Sequence, residues 1–442
     1  MVEMENSRKD KNNISFRNLK ILAPMVRIGC LPMRLLALKY GADLVYCEEI
    51  IDHRFLRCSR VENAVVRSID YVHPDGNVVF RTCEREKSKL VFQMGTSDAE
   101  RALQTAKMVE KDVSAVDVNM GCPKDYSIKG GMGAALLKDP EKVKNILTSL
   151  VKGLSIPVTC KIRILPTIEE TLHLVKVIES TNVSALAVHG REQHERPRHP
   201  VHSDIIHRVA KELSIPVICN GGSEDIKNYQ DMERFQEKTG TDSVMVARAA
   251  QWNPSVFRKD GTLPIQTVVK DFIKFAVEYD NSFSNTKYCV AQLMHEALET
   301  PEGIQLKHSR TMKELCDIWE LGSYLREWEK QRRVRSENVE KSLSAKRKRE
   351  DDVNEMNISY NRRLYGDFTP KGILFIWAKQ QGFNQPRYET VENEERLFKS
   401  VVSVNGQKYT SYSGDKSKKS AEQLAALVCL KFLGIDDRKI RS

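Results

Sequence analysis

Eight short apolar runs recur between residues 18 and 262 of this chain, and they constrain its fold more than any other feature. The runs are LKILAP, ADLVYC, KLVFQM, SAVDVN, IPVTC, SALAV, IPVICN and DSVMVA. Apolar runs without polar alternation are typical of strands buried on both faces, and the segments between them are long enough for helical crossovers. The sequence therefore predicts an α/β fold: a parallel TIM (β/α)8 barrel of about 250 residues, with functional groups at the carboxyl ends of its strands.

Seven of the eight runs end at a residue suited to cofactor binding or catalysis. In chain order these residues are Met25, Gln93, Cys122, Lys161, His189, Gly221 and Arg248. The run ADLVYC ends near Glu48 and Glu49, to which the pattern assigns no role. Because the parallel strands of a barrel present their carboxyl ends on one face, we expect the seven residues to converge on a single site.

The rest of the chain divides by composition, since 442 residues exceed one ordinary domain. Residues 1–17 are polar and charged, and they are predicted to form a disordered tail. Residues 263–335 carry apolar side chains at helical spacing and predict a small helical domain. Residues 336–360 are charged and lack periodicity, which indicates a linker. Residues 361–436 form a compact pattern of their own.

This C-terminal pattern has the order helix, three strands, helix. Thr369 and Pro370 are a predicted cap and first turn for the opening helix. Strand-like runs follow in RYETVEN, RLFKSVVSV and QKYTSYS. Asn405 and Gly406 join the last two runs, and this dipeptide favours a tight hairpin. The closing helix is predicted over residues 418–433.

Charge and cysteine content limit the partners and the compartment. The formal net charge of +10 and the pI of about 9.0 favour a polyanionic partner. The ten cysteines form no CxxC pair and no metal-like spacing, so we expect no metal site and a reducing compartment. Lacking an apolar leader and any run of membrane-spanning length, the chain is predicted to be cytoplasmic and to contact no membrane. The KRKR run at 346–349 is either a basic tether or a nuclear signal.

Cys122, within NMGCPKDYSIKGGMGAALL, is the strongest candidate for catalysis. A lone cysteine is often a small buried hydrophobe, and we interpret the other cysteines in that way. Cys122 differs because Gly121 permits close backbone approach, Pro123 fixes the turn and a glycine-rich loop follows. A thiol with a pKa of about 8.5 stays mostly protonated at neutral pH. With no histidine or asparagine base beside it in sequence, we predict proton donation rather than nucleophilic attack.

The other strand ends supply groups that a flavin mononucleotide (FMN) needs. Lys161 would place a positive charge near the N1 and O2 edge of the flavin ring, unless it is a salt-bridged structural lysine. Gln93 and His189 can hydrogen-bond the ring. The residues after the last two strands lie where barrels commonly bind phosphate through backbone NH groups: Asn220, Gly221, Gly222, Ala247 and Arg248. The histidine-rich stretch 189–202 matches no common metal-ligand spacing.

A family resemblance rests on six motifs: APMVRIGCLPMR, NMGCPKDYSIKGGMGAALL, CKIR, AVHGR, CNGG and VARAAQWNPS. They resemble the tRNA-dihydrouridine synthases, flavoenzymes that reduce a specific uridine in transfer RNA. The C-terminal unit resembles a double-stranded RNA-binding domain, and this pairing is similar to the eukaryotic subgroup acting on the D-loop uridine at tRNA position 20.

The resemblance implies roles for individual residues. Cys122 becomes the general acid that protonates uracil C5 after hydride from flavin N5 reaches C6, and NADPH becomes the reductant. No GxGxxG fingerprint is present, so no separate dinucleotide domain is expected. The implied flavin contacts are Ala23, Pro24, Met25, Gln93, Lys161, His189, Asn220, Gly221, Gly222, Ala247 and Arg248.

The resemblance also implies tRNA as the substrate and a basic surface that holds it. Lys416, Lys418 and Lys419 cluster at the start of the closing helix, where free NH groups also attract phosphate. The further expected phosphate contacts are Arg191, Arg196, Arg362, Arg363 and Lys371. Other double-stranded-RNA-binding proteins are further candidate partners, and we expect a monomer.

Two other functions fit parts of this pattern. A different flavin-dependent barrel oxidoreductase, acting on a small pyrimidine, would also use a cysteine acid, but the RNA-binding unit argues against it. A non-catalytic RNA-binding regulatory protein would use the barrel only as a scaffold. Cys122 and Lys161 argue against that second alternative.

Overall fold

The computed structural model describes residues 14–351, 353–362, 365, 368–393 and 396–435. The chain forms two compact units, the first ending at Arg333 and the second beginning at Val334.

The first unit is built around a closed parallel barrel. The described strands of this unit, inside and outside the barrel, are β1 (Lys20–Leu22), β2 (Leu44–Tyr46), β3 (Ile50–Ile51), β4 (Ser59–Asn63), β5 (Ser68–Val72), β6 (Val78–Thr82), β7 (Leu90–Gly95), β8 (Ala115–Met120), β9 (Val158–Arg163), β10 (Ala185–His189), β11 (Val217–Asn220) and β12 (Ser243–Val246). The ring runs β1-β2-β7-β8-β9-β10-β11-β12 and returns to β1, all in parallel. Each of these eight strands overlaps one of the eight apolar runs, so the predicted TIM barrel is confirmed.

Helices cross between most of the barrel strands. Their bounds are Leu31–Lys39, Ala99–Val109, Asp125–Lys129, Pro140–Gly153, Ile168–Glu179, Ser203–Glu212, Tyr229–Thr239 and Arg248–Trp252, with 3-10 turns at Lys87–Lys89, Gly133–Lys138 and Pro254–Phe257. Local capping residues mark the beginning of several of these helices. Thr167 and Glu170, for example, form a reciprocal capping box in which each side chain accepts a hydrogen bond from the other residue's backbone NH. The helices cover the outside of the barrel and leave the carboxyl ends of the strands to the loops.

The connection from β2 to β7 differs from the expected helical crossover. It contains β3, a short helix (Asp52–Phe55) and an antiparallel sheet of β4, β5 and β6. An aromatic cluster holds this insertion on the barrel: the ring centroid of Phe55 lies 4.9 Å from that of Tyr71 and 5.0 Å from that of Phe92 in β7. The insertion therefore packs as part of the barrel's own core.

More helices follow the barrel, and the last of them continues past Arg333, where the first unit ends. They span Ile265–Glu278, Phe283–Met294, Pro301–His308, Met312–Ile318 and Gly322–Asp351, with a 3-10 turn at His295–Glu299. Val268 and Phe272 of the first of these helices are fully buried. Lys39 at the end of the helix Leu31–Lys39 forms an ion pair with Asp271, with 2.6 Å between Nζ and Oδ2. None of the described helices is both long and apolar enough to cross a bilayer.

The second unit contains β13 (Val353–Met356), β14 (Arg387–Glu392), β15 (Phe398–Val404) and β16 (Gln407–Ser411), ordered β13-β16-β15-β14. The helix Lys418–Phe432 packs against this sheet, and the helix Pro370–Gln380 packs against Lys418–Phe432. The predicted cap is present, because Thr369 accepts a hydrogen bond from the backbone NH of Gly372. Asn405 and Gly406 both have positive φ, as the predicted hairpin requires. The helix–three strands–helix order is confirmed.

The segment 336–360 differs from the predicted irregular linker. It includes the end of the helix Gly322–Asp351 and all of β13, which pairs in parallel with β16. The sequence has no glycine or proline between Gly322 and Gly366, and it is rich in Lys, Arg and Glu, which favour helix without marking an apolar face. The composition of this segment is therefore like that of a linker, although the segment forms part of a helix and a strand.

Candidate active site

The register of neighbouring strands brings the predicted site residues together at one end of the barrel. Across β8 and β9, Asn119 lies opposite Lys161. Across β9, β10 and β11, Arg163 lies opposite His189, which in turn lies opposite Asn220. The carboxyl ends of these strands therefore form one continuous site, as predicted.

Cys122 lies two residues beyond β8, in a loop fixed by the backbone. The Asn119 side chain accepts hydrogen bonds from the backbone NH groups of Gly121 and Cys122, both at 3.0 Å. The carbonyl of Cys122 accepts from the NH of Ala134, also at 3.0 Å. Gly133 has φ +57°, and a Cβ there would lie 2.6 Å from the Cys122 carbonyl oxygen. The glycine-rich loop thus holds the thiol by close backbone contact.

The environment of Cys122 favours the protonated thiol. Burial raises the pKa of Cys122, and the carboxylate of Glu49 raises it further. Hydrogen bonds from the Lys124 backbone NH and from Tyr126 and Ser127 oppose the increase and are smaller. The site therefore suits a proton donor rather than a thiolate nucleophile.

Lys161 and its neighbours form a buried polar group inside the barrel. Gln93 donates from Nε2 to Asp117 Oδ2 at 2.8 Å, and its Oε1 accepts from Asn119 at 3.2 Å. Burial raises the pKa of Asp117 to about 6. Burial lowers the pKa of Lys161 to about 8, with Arg163 contributing in the same direction. The amine of Lys161 is thus desolvated, and among the described residues it forms no ion pair of the kind that a salt-bridged structural lysine would need.

Next to the Cys122 loop lies a pocket of 280 Å³ with a strongly cationic wall. We call it the arginine pocket; its lining residues are Pro123, Lys124, Arg163, His189, Arg191, Glu195, Arg196, Pro197 and Arg248. Burial, followed by Arg196 and Arg191, lowers the pKa of Arg163 to about 10. Burial and four surrounding cations place the pKa of His189 well below its usual value, so its imidazole is neutral. An anion is the ligand that such a wall accommodates.

The remaining predicted flavin contacts lie around the same end of the barrel. Asn220 donates from Nδ2 to the carbonyl of Met245 at 2.8 Å, and Gly221 has φ +122°. A Cβ at Gly221 would meet Val201 at 2.9 Å, so the backbone there cannot carry a side chain without displacing its neighbours. Gly222 and Ala247 follow β11 and β12, whereas Ala23, Pro24 and Met25 follow β1.

The structure separates the predicted RNA contacts into different groups. Arg191 is only 3% exposed, and its guanidinium donates to the backbone carbonyls of His199 and Gly221, both at 2.8 Å. Arg191 therefore holds the loop through these hydrogen bonds and does not face solvent. The prediction that Arg191 contacts RNA is corrected on this ground. Arg196 is exposed at the rim of the arginine pocket.

In the second unit, Lys416, Lys418 and Lys419 are exposed at the start of the closing helix. Arg362 is also exposed, whereas Arg363 lies outside the described residues. The predicted contact at Lys371 is only half-exposed: its amine pairs with Glu422 and lies 4.3 Å from the centroid of the Tyr388 ring.

Sequence reasoning missed several residues that contact the site. Asp117 and Asn119 are polar residues within the apolar run SAVDVN, and that interruption is the signal that would have identified them. Arg163 ends β9, three residues beyond the run IPVTC. Glu49 follows the second apolar run, to which the sequence pattern assigns no role. Tyr126 carried no signal, because its contact with Glu49 joins residues 77 positions apart.

A closed parallel barrel with a protonated cysteine, a buried lysine and a cationic pocket at its carboxyl end defines a TIM-barrel protein with a site that suits an anionic ligand. Residues 21–350 match the dihydrouridine synthase (Dus) family, and residues 370–433 match the double-stranded RNA binding motif. The chain belongs to the dihydrouridine synthase family, and its second unit is a double-stranded RNA-binding domain.

Individual relatives agree with this membership. The chain is 40% identical over 319 residues to the tRNA-dihydrouridine(20) synthase of Schizosaccharomyces pombe, a match covering 70% of this chain and 66% of the relative. It is 37% identical over 301 residues to the Saccharomyces cerevisiae protein of the same name, covering 64% of this chain and 78% of the relative. A solved tRNA-dihydrouridine(20) synthase dsRBD domain is 44% identical, with a TM-score of 0.20, and covers 20% of this chain and 96% of that chain.

Proposed function

We propose that this chain is a tRNA-dihydrouridine synthase that uses FMN and NADPH to reduce the C5–C6 double bond of the D-loop uridine at tRNA position 20. Membership of the dihydrouridine synthase family supports the reaction. The double-stranded RNA-binding domain supports a structured RNA substrate. The names of the two yeast relatives specify position 20 and NAD(P)+.

The observation that carries the proposal is the state of Cys122. Its thiol lies at the carboxyl end of the fourth barrel strand, where burial and Glu49 both raise its pKa. A thiol that keeps its proton near neutral pH can give that proton to a carbon that is gaining negative charge. Cys122 therefore delivers the proton to uracil C5.

The residues around Cys122 fit FMN. When bound, FMN supplies the hydride that adds to uracil C6. The buried amine of Lys161 offers a positive charge to the flavin ring, and the neutral imidazole of His189 offers a hydrogen bond without a second charge. The arginine pocket fits the FMN phosphate, because several cations converge there.

The RNA-binding domain supports tRNA rather than a free pyrimidine as the substrate. Its exposed lysines at 416, 418 and 419 lie at the start of a 15-residue helix capped by Ser417, where backbone NH groups also attract phosphate. Arg362 adds to the basic surface of the same unit. We assign these four residues to phosphate contacts that hold the substrate.

The test is the dihydrouridine content of tRNA treated with Cys122→Ala protein. We expect dihydrouridine at position 20 to be lost while the purified variant keeps its flavin absorbance, because only the proton donor is removed. Cys58→Ala is the matched control, since this thiol lies at the start of the insertion and should leave activity unchanged. Full activity of Cys122→Ala, or colourless wild-type protein that cannot be loaded with FMN, would contradict the proposal.

The reductant is tested separately. We expect flavin reduction in the wild-type protein to be faster with NADPH than with NADH at equal concentration. Faster reduction by NADH would overturn that part of the proposal and leave the rest intact. Reduction of free uridine as rapid as that of whole tRNA would instead favour the small-pyrimidine alternative.

A further inference from the structure

Glu49 lies beside the active-site thiol, although the sequence pattern gave it no role. The carboxylate Oε2 of Glu49 accepts a hydrogen bond from the hydroxyl of Tyr126 at 3.1 Å. The same hydroxyl lies 3.8 Å from Cys122 Sγ, within hydrogen-bond range for sulfur. Tyr126 thus bridges the end of the second barrel strand and the loop after the fourth.

The position of the Glu49 carboxylate costs folding free energy. It is largely buried, and burial raises its pKa. Its second oxygen, Oε1, has no hydrogen-bond partner among the described residues. That oxygen lies close to Gly95, where a Cβ would be only 2.7 Å away. A buried carboxylate with one oxygen unsatisfied destabilises a fold, so stability alone does not account for this side chain.

The charges around Cys122 oppose one another. Lys161 and Arg163 on β9 both interact electrostatically with the Cys122 sulfur, and cations favour the thiolate. Glu49, at the end of the second strand, is the anion that raises the pKa of Cys122. The hydroxyl groups of Tyr126 and Ser127, on the short helix after the loop, lower it slightly. Glu49 therefore offsets the two cations of β9.

We propose that Glu49, bridged to the sulfur by Tyr126, holds the proton on Cys122 until the thiol delivers it, so that both are positioning residues for the reaction. This inference rests on the proposed function of Cys122 as the acid. In the step itself the S–H bond breaks, a C–H bond forms at uracil C5, and the sulfur is left as a thiolate. Water then returns a proton to the sulfur, and the Tyr126 side chain, 51% exposed, lies on the path from solvent.

The test measures the protonation of Cys122 directly. The flavin-loaded protein is treated with iodoacetamide between pH 6 and 10, and modification of the peptide containing Cys122 is followed by mass spectrometry. In Glu49→Gln we expect the pH midpoint of modification to fall by at least one unit, so that modification at pH 7.5 is about tenfold faster than in wild type.

Two variants control this measurement. Glu49→Asp keeps the charge and should stay within half a pH unit of wild type. Glu48→Gln removes a neighbouring carboxylate that accepts instead from the Arg27 backbone NH, and it should leave the midpoint unchanged. Flavin absorbance verifies that each variant is folded.

An unshifted midpoint in Glu49→Gln would overturn the inference, as would an equal shift in Glu48→Gln. Should Glu49→Gln fail to bind flavin, the midpoint is compared between flavin-free wild type and flavin-free Glu49→Gln, with circular dichroism verifying the fold, and equal midpoints there would overturn the inference. These readouts need no tRNA, so failure here is distinguishable from failure of the proposed activity, which the dihydrouridine measurement reports.

Discussion

Burial outweighs pairing for the charged residues inside this barrel. Asp117 and Lys161 attract one another, and that attraction alone would lower the pKa of the acid and raise that of the amine. The opposite occurs: the pKa of Asp117 rises to about 6 and that of Lys161 falls to about 8, with burial as the largest cause of both. The amine therefore titrates within the pH range in which the protein can be studied.

This titration predicts that FMN affinity depends on pH. Below pH 8 the amine of Lys161 is protonated and attracts the anionic cofactor; above pH 8 it loses its charge in the cofactor-free protein. We expect the Kd for FMN to rise by about tenfold per pH unit above 8, until the amine of the complex also titrates. Fluorescence titration of FMN at pH 7, 8 and 9 measures this dependence.

Variants at the same position identify the group responsible. Lys161→Met should bind FMN more weakly with little pH dependence across this range, whereas Lys161→Arg should stay charged and also give a flat profile. A wild-type Kd that is constant from pH 7 to 9 would exclude Lys161 as the titrating group.

Single residues at strand ends could be predicted from sequence, but their cross-chain partners could not. Cys122, Lys161 and His189 each end an apolar run, and the parallel barrel brings such ends together. The contact between Glu49 and Tyr126 depends on how two loops fold over the barrel mouth. No local pattern encodes that proximity.

At the scale of elements, the loop after β8 positions Cys122 through main-chain contacts. Gly133 approaches Cys122 so closely that a methyl group would lie 2.6 Å from its carbonyl oxygen and 2.9 Å from its Cβ. Gly131, in the same loop, also has positive φ, but a methyl group there would meet only Ser97 at 3.6 Å. A substitution at Gly131 therefore tests backbone strain alone, whereas a substitution at Gly133 adds a steric clash with Cys122.

Gly133→Ala is expected to displace Cys122 and to lower kcat by about 100-fold, as small misplacements of catalytic groups do. Flavin content should largely remain, because Arg163, Arg191 and Arg248 of the arginine pocket end or follow other barrel strands and only Pro123 and Lys124 belong to this loop. Gly131→Ala should cost only the strain of a positive φ, about 1–2 kcal/mol of stability, with kcat largely retained. Steady-state kinetics and thermal unfolding of both variants test this, and equal losses of kcat would contradict the steric argument.

The elements themselves were predictable where one signal dominated. Continuous apolar runs identified all eight barrel strands, and Asn405 with Gly406 identified the hairpin. The antiparallel sheet β4-β5-β6 was missed because its strands are short and partly exposed, without a clear apolar run. The helix Gly322–Asp351 begins inside the predicted helical domain, but its part beyond residue 335 was interpreted as linker because charged helix formers produce no amphipathic pattern.

At the scale of the whole molecule, the chain joins a barrel to an RNA-binding domain, and each supplies a different part of the proposed function. The order of the C-terminal elements was predictable because a cap, a hairpin dipeptide and an amphipathic helix follow one another. The strand β13 was not, because it pairs in parallel with β16, more than fifty residues further along the chain.

This division predicts that RNA affinity and flavin chemistry can be changed independently. Lys418→Glu combined with Lys419→Glu should weaken tRNA binding by about tenfold or more and reduce the slope of log affinity against log salt by about 1.5, since two phosphate contacts are lost. Flavin content and NADPH-driven flavin reduction should stay unchanged. Filter binding across a salt series gives both the affinity and the slope.

The control for charge is Lys144→Glu combined with Lys152→Glu, which makes the same change at two exposed positions on the helix Pro140–Gly153. Its effect on tRNA affinity should be small. If both double variants weaken binding equally, net charge rather than the closing helix controls association.

The arginine pocket has one more consequence. Burial is the largest cause of the lowered pKa of Arg163 and Arg248, and repulsion from neighbouring arginines lowers both further. Unfolding relieves that repulsion, and so does an anion lodged among them. Removal of the proposed FMN should therefore lower the melting temperature, and millimolar inorganic phosphate should restore part of that loss. A ligand at 100 times its Kd contributes about 2.7 kcal/mol by mass action.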